Sequence, residues 1–203
     1  MYVLDMSVVY VAEAEGGSQM IHHKGTQTLE TDRLILRQYK MEDAEDMYKN
    51  WVTDHMVTRF WGWEPHKNIA ETRELLRGWI NDYQREDNYH WVIEGKEQSE
   101  AIGYIYLNEL DETEGGASVH YLLSRKLWNQ GMTTEACNRV VVFAFAEIGL
   151  KKVKSRHHEK NPASGRVMEK CGLHFVYEEF KEFEDCPQMN GVYLFYETNE
   201  NRI

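Results

Sequence analysis

The segment Trp128-Asn129-Gln130-Gly131-Met132-Thr133-Thr134-Glu135-Ala136 joins a strand-like stretch to a long apolar helical one, with one glycine at the junction. A small-residue turn that opens a helix leaves backbone N–H groups without intrahelical partners at the positive end of the helix dipole, where a phosphate can sit. The turn lacks the Gly-Lys-Ser/Thr ending of a P-loop and the three glycines of a dinucleotide fingerprint, which disfavours ATP and NAD. Further on, Asn161-Pro162-Ala163-Ser164-Gly165-Arg166-Val167-Met168-Glu169-Lys170-Cys171-Gly172 reads as a complete short helix. Asn161 is placed as N-cap, Pro162 at the first helical position and Gly172 as the left-handed stop.

Together the two segments resemble the acyl-CoA-binding signature of the GNAT N-acetyltransferases. The resemblance is to the ribosomal-protein N-terminal (alanine) acetyltransferase branch, whose pattern runs Trp-Gly-x-Gly-x-x-Thr-Glu-Ala, then Asn-x-Ala-Ser-x-Arg-Val-Met-x-Lys-x-Gly. The stretch Leu29-Glu30-Thr31-Asp32-Arg33-Leu34-Ile35-Leu36-Arg37 also matches that branch's first strand. The resemblance implies an α+β fold with a central mixed, mostly antiparallel twisted sheet, helices on both faces and a splayed strand pair that binds acyl-CoA. It implies acetyl-CoA as cosubstrate, no metal, and direct transfer within a ternary complex to an amine acceptor, either a protein N-terminus or a small-molecule amine. Carried over residue by residue, the strand end Tyr121, Leu122 and Leu123 would bind the pantetheine arm, and the N–H groups of Gln130, Gly131, Met132, Thr133 and Thr134 the pyrophosphate. Asn161 would contact the pantetheine amide, Ser164 the cofactor sulfur, and Lys170 completes the cofactor set.

The chain departs from the pattern in ways that bear on mechanism. Asn129 stands where the first glycine is usual, and asparagine tolerates the left-handed backbone. Thr133 replaces a small residue, and its hydroxyl can cap the helix or reach a phosphate. Transfer requires a neutral amine, an oxyanion donor and a proton for the leaving thiolate. An alkylammonium with a pKa of about 10.4, or an α-amino group of about 7.7–8.0, must lose its proton first. Relatives carry a strand Glu where Ser118 stands, and His120 replaces a glycine. The candidate bases are therefore His120, Glu109 with Asp111, and Glu182 or Glu184; spacing does not choose among them. Met168 occupies the position of the tyrosine acid that some members use, which leaves Ser164 as the thiolate partner. The missing strand Glu also keeps open a non-catalytic acyl-CoA sensor or interaction module.

The elements that must hold these groups follow from periodicity. Residues 42–51 and 68–83 predict core-facing helices, with Asn68 and Glu71 suited to a capping box. Between them the aromatic loop 60–66 is either a roof over the core or a wall of the acceptor pocket. Strands are predicted at 90–94, 101–108 and 117–123 as an antiparallel meander. A helix at 134–147, stopped by Gly149, and a strand at 152–157 then make a parallel crossover. The last strands fall near 173–179 and 192–197, and by analogy an exposed final strand would support a homodimer.

The chain has 203 residues, 42% hydrophobic and 28% charged, with a formal net charge of −11. This composition fits a globular protein; it argues against nucleic acid and for a cationic acceptor. The acidic runs 109–114 and 178–185 strengthen that expectation. Residues 1–27 read as a poorly ordered or loosely docked extension with no membrane anchor or signal, and 28–203 as a single acetyltransferase domain. Three dispersed cysteines indicate a reducing, cytoplasmic setting. The pairs His22-His23 and His157-His158 have no spacing for a metal.

Overall fold

The computed structural model describes residues 21–200. Its strands are β1 (Leu29–Glu30), β2 (Leu34–Arg37), β3 (Tyr89–Gly95), β4 (Glu100–Asp111), β5 (Gly116–Leu123), β6 (Lys152–His158), β7 (His174–Lys181) and β8 (Gly191–Asn199). They form one sheet in the order β1-β2-β3-β4-β5-β6-β8-β7, antiparallel throughout except between β5 and β6. The architecture is the mixed, mostly antiparallel α+β sheet that the resemblance implies. Two details differ. Residues 29–37 are not one strand: the Thr31 N–H donates to the Leu34 carbonyl at 3.0 Å and folds the stretch into the β1–β2 hairpin. The exposed edge is β7, because the final strand β8 inserts between β6 and β7.

Apolar positions at helical spacing on one side and strand alternation on the other create two cores, one per face of the sheet. Helices α1 (Asp43–Met47), α2 (His55–Thr58) and α3 (Ile69–Asn81) cover one face, where Ala44, Met47, Trp51 and Leu76 pack on Val92, Tyr104 and Leu122. Helices α4 (Met132–Phe143) and α5 (Pro162–Lys170) cover the other, where Ala136, Val140, Phe143 and Met168 pack on Val119, Leu123 and Val153.

The helix termini are largely those the sequence signals. Asn68 accepts from the Ala70 and Glu71 N–H groups and starts α3, while Glu71 reaches the Lys67 N–H at 2.9 Å, one residue short of a true capping box. The short helix α2 was not expected; Asp54 caps it by accepting from the Met56 N–H at 3.0 Å. Helix α4 starts at Met132 rather than 134, runs on as a π-helical turn over Ala144–Ile148, and stops at Gly149 with φ 82°. Of the expected loose extension, residues 21–27 are docked: His22 N–H donates to the Ile148 carbonyl at 2.9 Å, Gly25 N–H to Glu86 at 2.8 Å, and the Trp91 indole to the Gln27 carbonyl at 2.6 Å. Residues 1–20 of that extension lie outside the described residues. No helix among the described residues is long and apolar enough to cross a membrane.

Candidate active site

Strands β5 and β6 are paired only at Gly116↔Lys152, Ala117↔Val153 and Ser118↔Lys154, yet run on to Leu123 and His158. They part beyond Ser118. At the fork the Ser155 hydroxyl donates to the Val119 carbonyl at 2.8 Å in place of the next ladder bond. Two cavities open along it.

The first, about 440 Å³, lies between the end of β5, the first turns of α4 and α5, and the chain leaving α2. Leu122 and Leu123 line it with Gly131, Thr133 and Thr134. So do Arg59, Lys160, Arg166 and Lys170, while no carboxylate among the described residues does. None of these four cations joins an ion pair among the described residues. Arg59 lies over the Phe60 ring, 4.7 Å from its centroid. Unneutralised cations clustered in a cleft of an acidic chain create a local positive potential suited to a polyanion.

The turn that opens α4 presents its amides to this cavity. Gly131 is the N-cap with φ 77° and makes no side-chain cap, so the N–H groups of Met132, Thr133 and Thr134 precede the first intrahelical bond, from Glu135 N–H to the Gly131 carbonyl at 3.0 Å. No side chain caps the helix, and Thr133 lines the cavity. Asn129 holds φ 61°, the left-handed conformation expected of it. A Cβ on Gly131 would meet nothing closer than Arg33 Nη2 at 3.6 Å, so its positive φ, not crowding within the protein, is what calls for glycine. Gln130 is exposed with its side-chain amide on the Lys126 carbonyl, Met132 is buried in the core, and neither lines a cavity.

A clamp invisible to motif reading fixes this turn to the β1–β2 hairpin. Glu135 accepts from the Thr31 hydroxyl at 2.6 Å, the Arg33 backbone N–H at 2.9 Å and Arg33 Nε at 2.6 Å, while Arg33 Nη1 donates to the Gln130 carbonyl at 2.9 Å. Burial raises the Glu135 carboxyl pKa, but these donors outweigh it and hold the group below the usual carboxylate range.

Phe60, Trp61, Tyr121, Asn161 and Ser164 line both cavities and mark where they meet. Ser164 Oγ donates to the Tyr121 hydroxyl at 3.1 Å, and Tyr121 donates to the Ser164 carbonyl at 2.9 Å. Burial raises the Tyr121 hydroxyl well above its ordinary pKa, so it acts as a neutral donor. Asn161 occupies the N-cap position without a side-chain cap bond, and its amide stays available to the junction. The aromatic loop does both: Phe60 and Trp61 line the cavities, while Trp61 and Trp63 pack on the core.

The second cavity, about 200 Å³, continues from this junction to Tyr106, His120 and Arg156. His120 stacks on Tyr106 with centroids 5.0 Å apart, and its Nε2 is buried without a partner among the described residues. Burial lowers its pKa to about 4, helped by Arg156 and opposed by Glu109, which keeps the ring neutral at neutral pH. Glu109 sits at the β4 bulge with φ 50°, accepts from Ser118 Oγ at 2.6 Å and pairs with Arg156 at 3.3 Å. It lines neither cavity, so it braces Arg156 instead of meeting an acceptor. Glu182 and Glu184 are solvent-exposed and line neither cavity. Of the expected bases, only His120 is brought to the site.

Sequence reasoning did not reach the Tyr121 hydroxyl, Arg156, or the cations Arg59, Lys160 and Arg166. Strand parity carried part of the signal: Val119, Tyr121 and Leu123 face α4 and α5, whereas the parallel register Ser118↔Lys154 puts His120 and Arg156 on the opposite face. The histidine pair lines the second cavity and is held by main-chain groups: His157 Nδ1 lies 2.9 Å from the His158 carbonyl, and His158 Nδ1 accepts from the Lys160 N–H at 3.0 Å. No group of three or more metal-ligating side chains occurs among the described residues. Cys137 and Cys171 are buried in the core, and no cysteine lines either cavity.

Residues 33–174 match the acetyltransferase (GNAT) domain family. The chain belongs to the GNAT acetyltransferases. It is 32% identical over 145 residues to the uncharacterized N-acetyltransferase YoaA of Bacillus subtilis (strain 168), a match covering 71% of this chain and 81% of that protein. Its fold is similar to a GNAT-family acetyltransferase from Bacillus anthracis, at TM-score 0.73 and 18% identity over 86% of this chain and 99% of that one. It is also similar to spermidine N-acetyltransferase from Vibrio cholerae, solved with CoA and spermine, at TM-score 0.69 and 20% identity over 85% and 98%. The sheet, the two helical layers and the forked strand pair are those of this GNAT fold.

Proposed function

We propose that the protein moves an acetyl group from acetyl-CoA to an amine by direct transfer within a ternary complex. The observation that carries this reading is the first cavity: four cations and no carboxylate among the described residues, in a chain of net charge −11, beside the free amides of the α4 turn. Those features fit a ligand with a pyrophosphate and a further phosphate. The N–H groups of Met132, Thr133 and Thr134 would hold the pyrophosphate, the unpaired edge of β5 at Leu122 and Leu123 the pantetheine arm, and Asn161 its amide. The thioester then falls at the junction of the two cavities.

There the chain supplies a proton acceptor and a donor on opposite sides. His120 lines the second cavity with its ring neutral, and a turn of that ring that exposes the buried Nε2 would let it take the proton of the attacking amine as the N–C bond forms. The Tyr121 hydroxyl, turning from the Ser164 carbonyl, would give its proton to the sulfur as the C–S bond breaks while still accepting from Ser164 Oγ, and would regain a proton from solvent. The buried cysteines cannot carry an acyl group at the site, which favours direct transfer. The motif order points toward the ribosomal-protein branch and so to a protein N-terminus, while the second cavity, about 200 Å³, suits a small-molecule amine equally well. Calorimetric titration with acetyl-CoA, coupled to thiol release with an amine panel, tests the reading. Binding with turnover supports it; binding without turnover would support the sensor module, and no binding would refute both.

A further inference from the structure

The chemistry of the second cavity narrows the acceptor. Phe60, Trp61, Tyr106, Phe183 and Tyr193 give it aromatic walls, and Arg156 is its one permanently charged lining group among the described residues. Three histidines also line it: His120 is buried and neutral, His158 is held between the Lys160 N–H at 3.0 Å and the Asn190 carbonyl at 3.3 Å, and His157 Nδ1 lies 2.9 Å from the His158 carbonyl. Arg156 is braced but not saturated. It meets Glu109 through one contact at 3.3 Å, because the other Glu109 oxygen accepts the Ser118 hydroxyl at 2.6 Å. A guanidinium has five N–H donors in a planar fork matched to a carboxylate, so most of its donors remain for a ligand. Its charge reaches Tyr106, His120 and Tyr193, lining side chains on three strands.

Resting on the acetyltransferase reading, we propose that the acceptor is a small primary amine bearing a carboxylate and an apolar or aromatic group, of the α-amino acid class. Its carboxylate sits on Arg156 and its side chain against the aromatic wall. A polyamine would bring two or more positive charges into a cavity that already holds one and, among the described residues, offers no carboxylate. The acidic run that suggested a cationic acceptor does not alter this, because Glu178, Glu179, Glu182, Glu184 and Asp185 are exposed on β7 and the loop after it. A protein N-terminus has its first carboxyl tied up in a peptide bond and leaves Arg156 without a partner. A nearby guanidinium also disfavours the ammonium form of the acceptor and so favours the neutral nucleophile.

The experiment compares kcat/KM for phenylalanine, leucine and methionine with phenylalaninamide, phenethylamine and spermidine in acetyl-CoA-dependent thiol release. Amino acids are expected to exceed their carboxylate-free analogues by about tenfold to a hundredfold, the value of one charge-assisted pair. Arg156→Gln should erase that preference and Arg156→Lys restore part of it, with acetyl-CoA affinity by calorimetry unchanged in both. Equal or better turnover of phenethylamine or spermidine, or an Arg156→Gln variant that slows every amine alike, would overturn the proposal. Titrating the amino acids into CoA-saturated protein reads the same contact without chemistry. No binding there overturns the amino-acid assignment, whereas binding without turnover supports it and contradicts the catalytic reading instead.

Discussion

Replacing Gly131 separates two reasons for a glycine in the α4 turn. With φ 77° and its nearest would-be Cβ neighbour at 3.6 Å, the position has room for a methyl group but a backbone that alanine resists. The left-handed conformation costs a non-glycine residue roughly 1–2 kcal/mol. In Gly131→Ala that cost must appear somewhere. If the turn holds its shape, stability drops and Tm falls by about 2–8 °C for a chain of this length. If the turn relaxes, acetyl-CoA binding weakens by about fivefold to thirtyfold, because the competent turn is less populated. Gly131→Asn tolerates the same backbone and carries the same Cβ, so it should recover most of the loss if φ is the cause. Thermal melts and calorimetric titration on both variants read the two terms. An alanine variant unchanged in both would refute the conformational argument. An asparagine variant of native stability that binds as poorly as the alanine would show that close phosphate approach is the reason.

Other consequences follow from the same geometry. Arg166→Ala and Lys170→Ala should each weaken acetyl-CoA binding severalfold and flatten its dependence on salt, as read by titration at two ionic strengths; unchanged salt dependence would remove the electrostatic account of the groove. Tyr121→Phe and Ser164→Ala should lower kcat by about tenfold or more, with less effect on acetyl-CoA affinity, and full activity in both would exclude the pair as proton donor. His120 is shifted down to about 4 by burial first and by Arg156 second. Its unfolded form therefore binds a proton near pH 6.5 while the folded form does not. The stability this contributes is complete above about pH 6.5 and is lost as pH falls through the folded pKa, at roughly 1.4 kcal/mol per pH unit. Denaturation of His120→Asn between pH 6.5 and 4.5 should show a shallower fall than the wild type; an identical slope would contradict the buried, neutral assignment. His90, shifted to about 3 by burial, and His66, also lowered by burial, add slope in the same direction.

Much of the fold was legible because its signals are local. The alternating strands, Asn68 ahead of α3, and Gly149 and Gly172 past their helices each state an element boundary in a few residues. The strand fork and the α4 turn were legible through motif order. What was not legible depends on pairs distant in sequence. Arg33 and Glu135 meet only because the β1–β2 hairpin lies beside α4, and no spacing rule joins them. Glu109 offered a carboxylate near the missing strand Glu, but the β4 bulge turns it toward Ser118 and Arg156 and away from the acceptor. Glu182 fell out for the opposite reason, since the chain beyond β7 leaves it in solvent. Ser164 was legible through its motif but its partner was not, because Tyr121, facing α5 by strand parity, is 43 residues away in the chain.

Initial-rate kinetics in both substrates test the central claim most directly. Thiol release measured over a grid of acetyl-CoA and amine concentrations should give intersecting double-reciprocal lines, the signature of both ligands meeting at the junction of the two cavities before any bond is exchanged. Parallel lines, or trapping of an acetylated protein by acetyl-CoA alone, would contradict direct transfer.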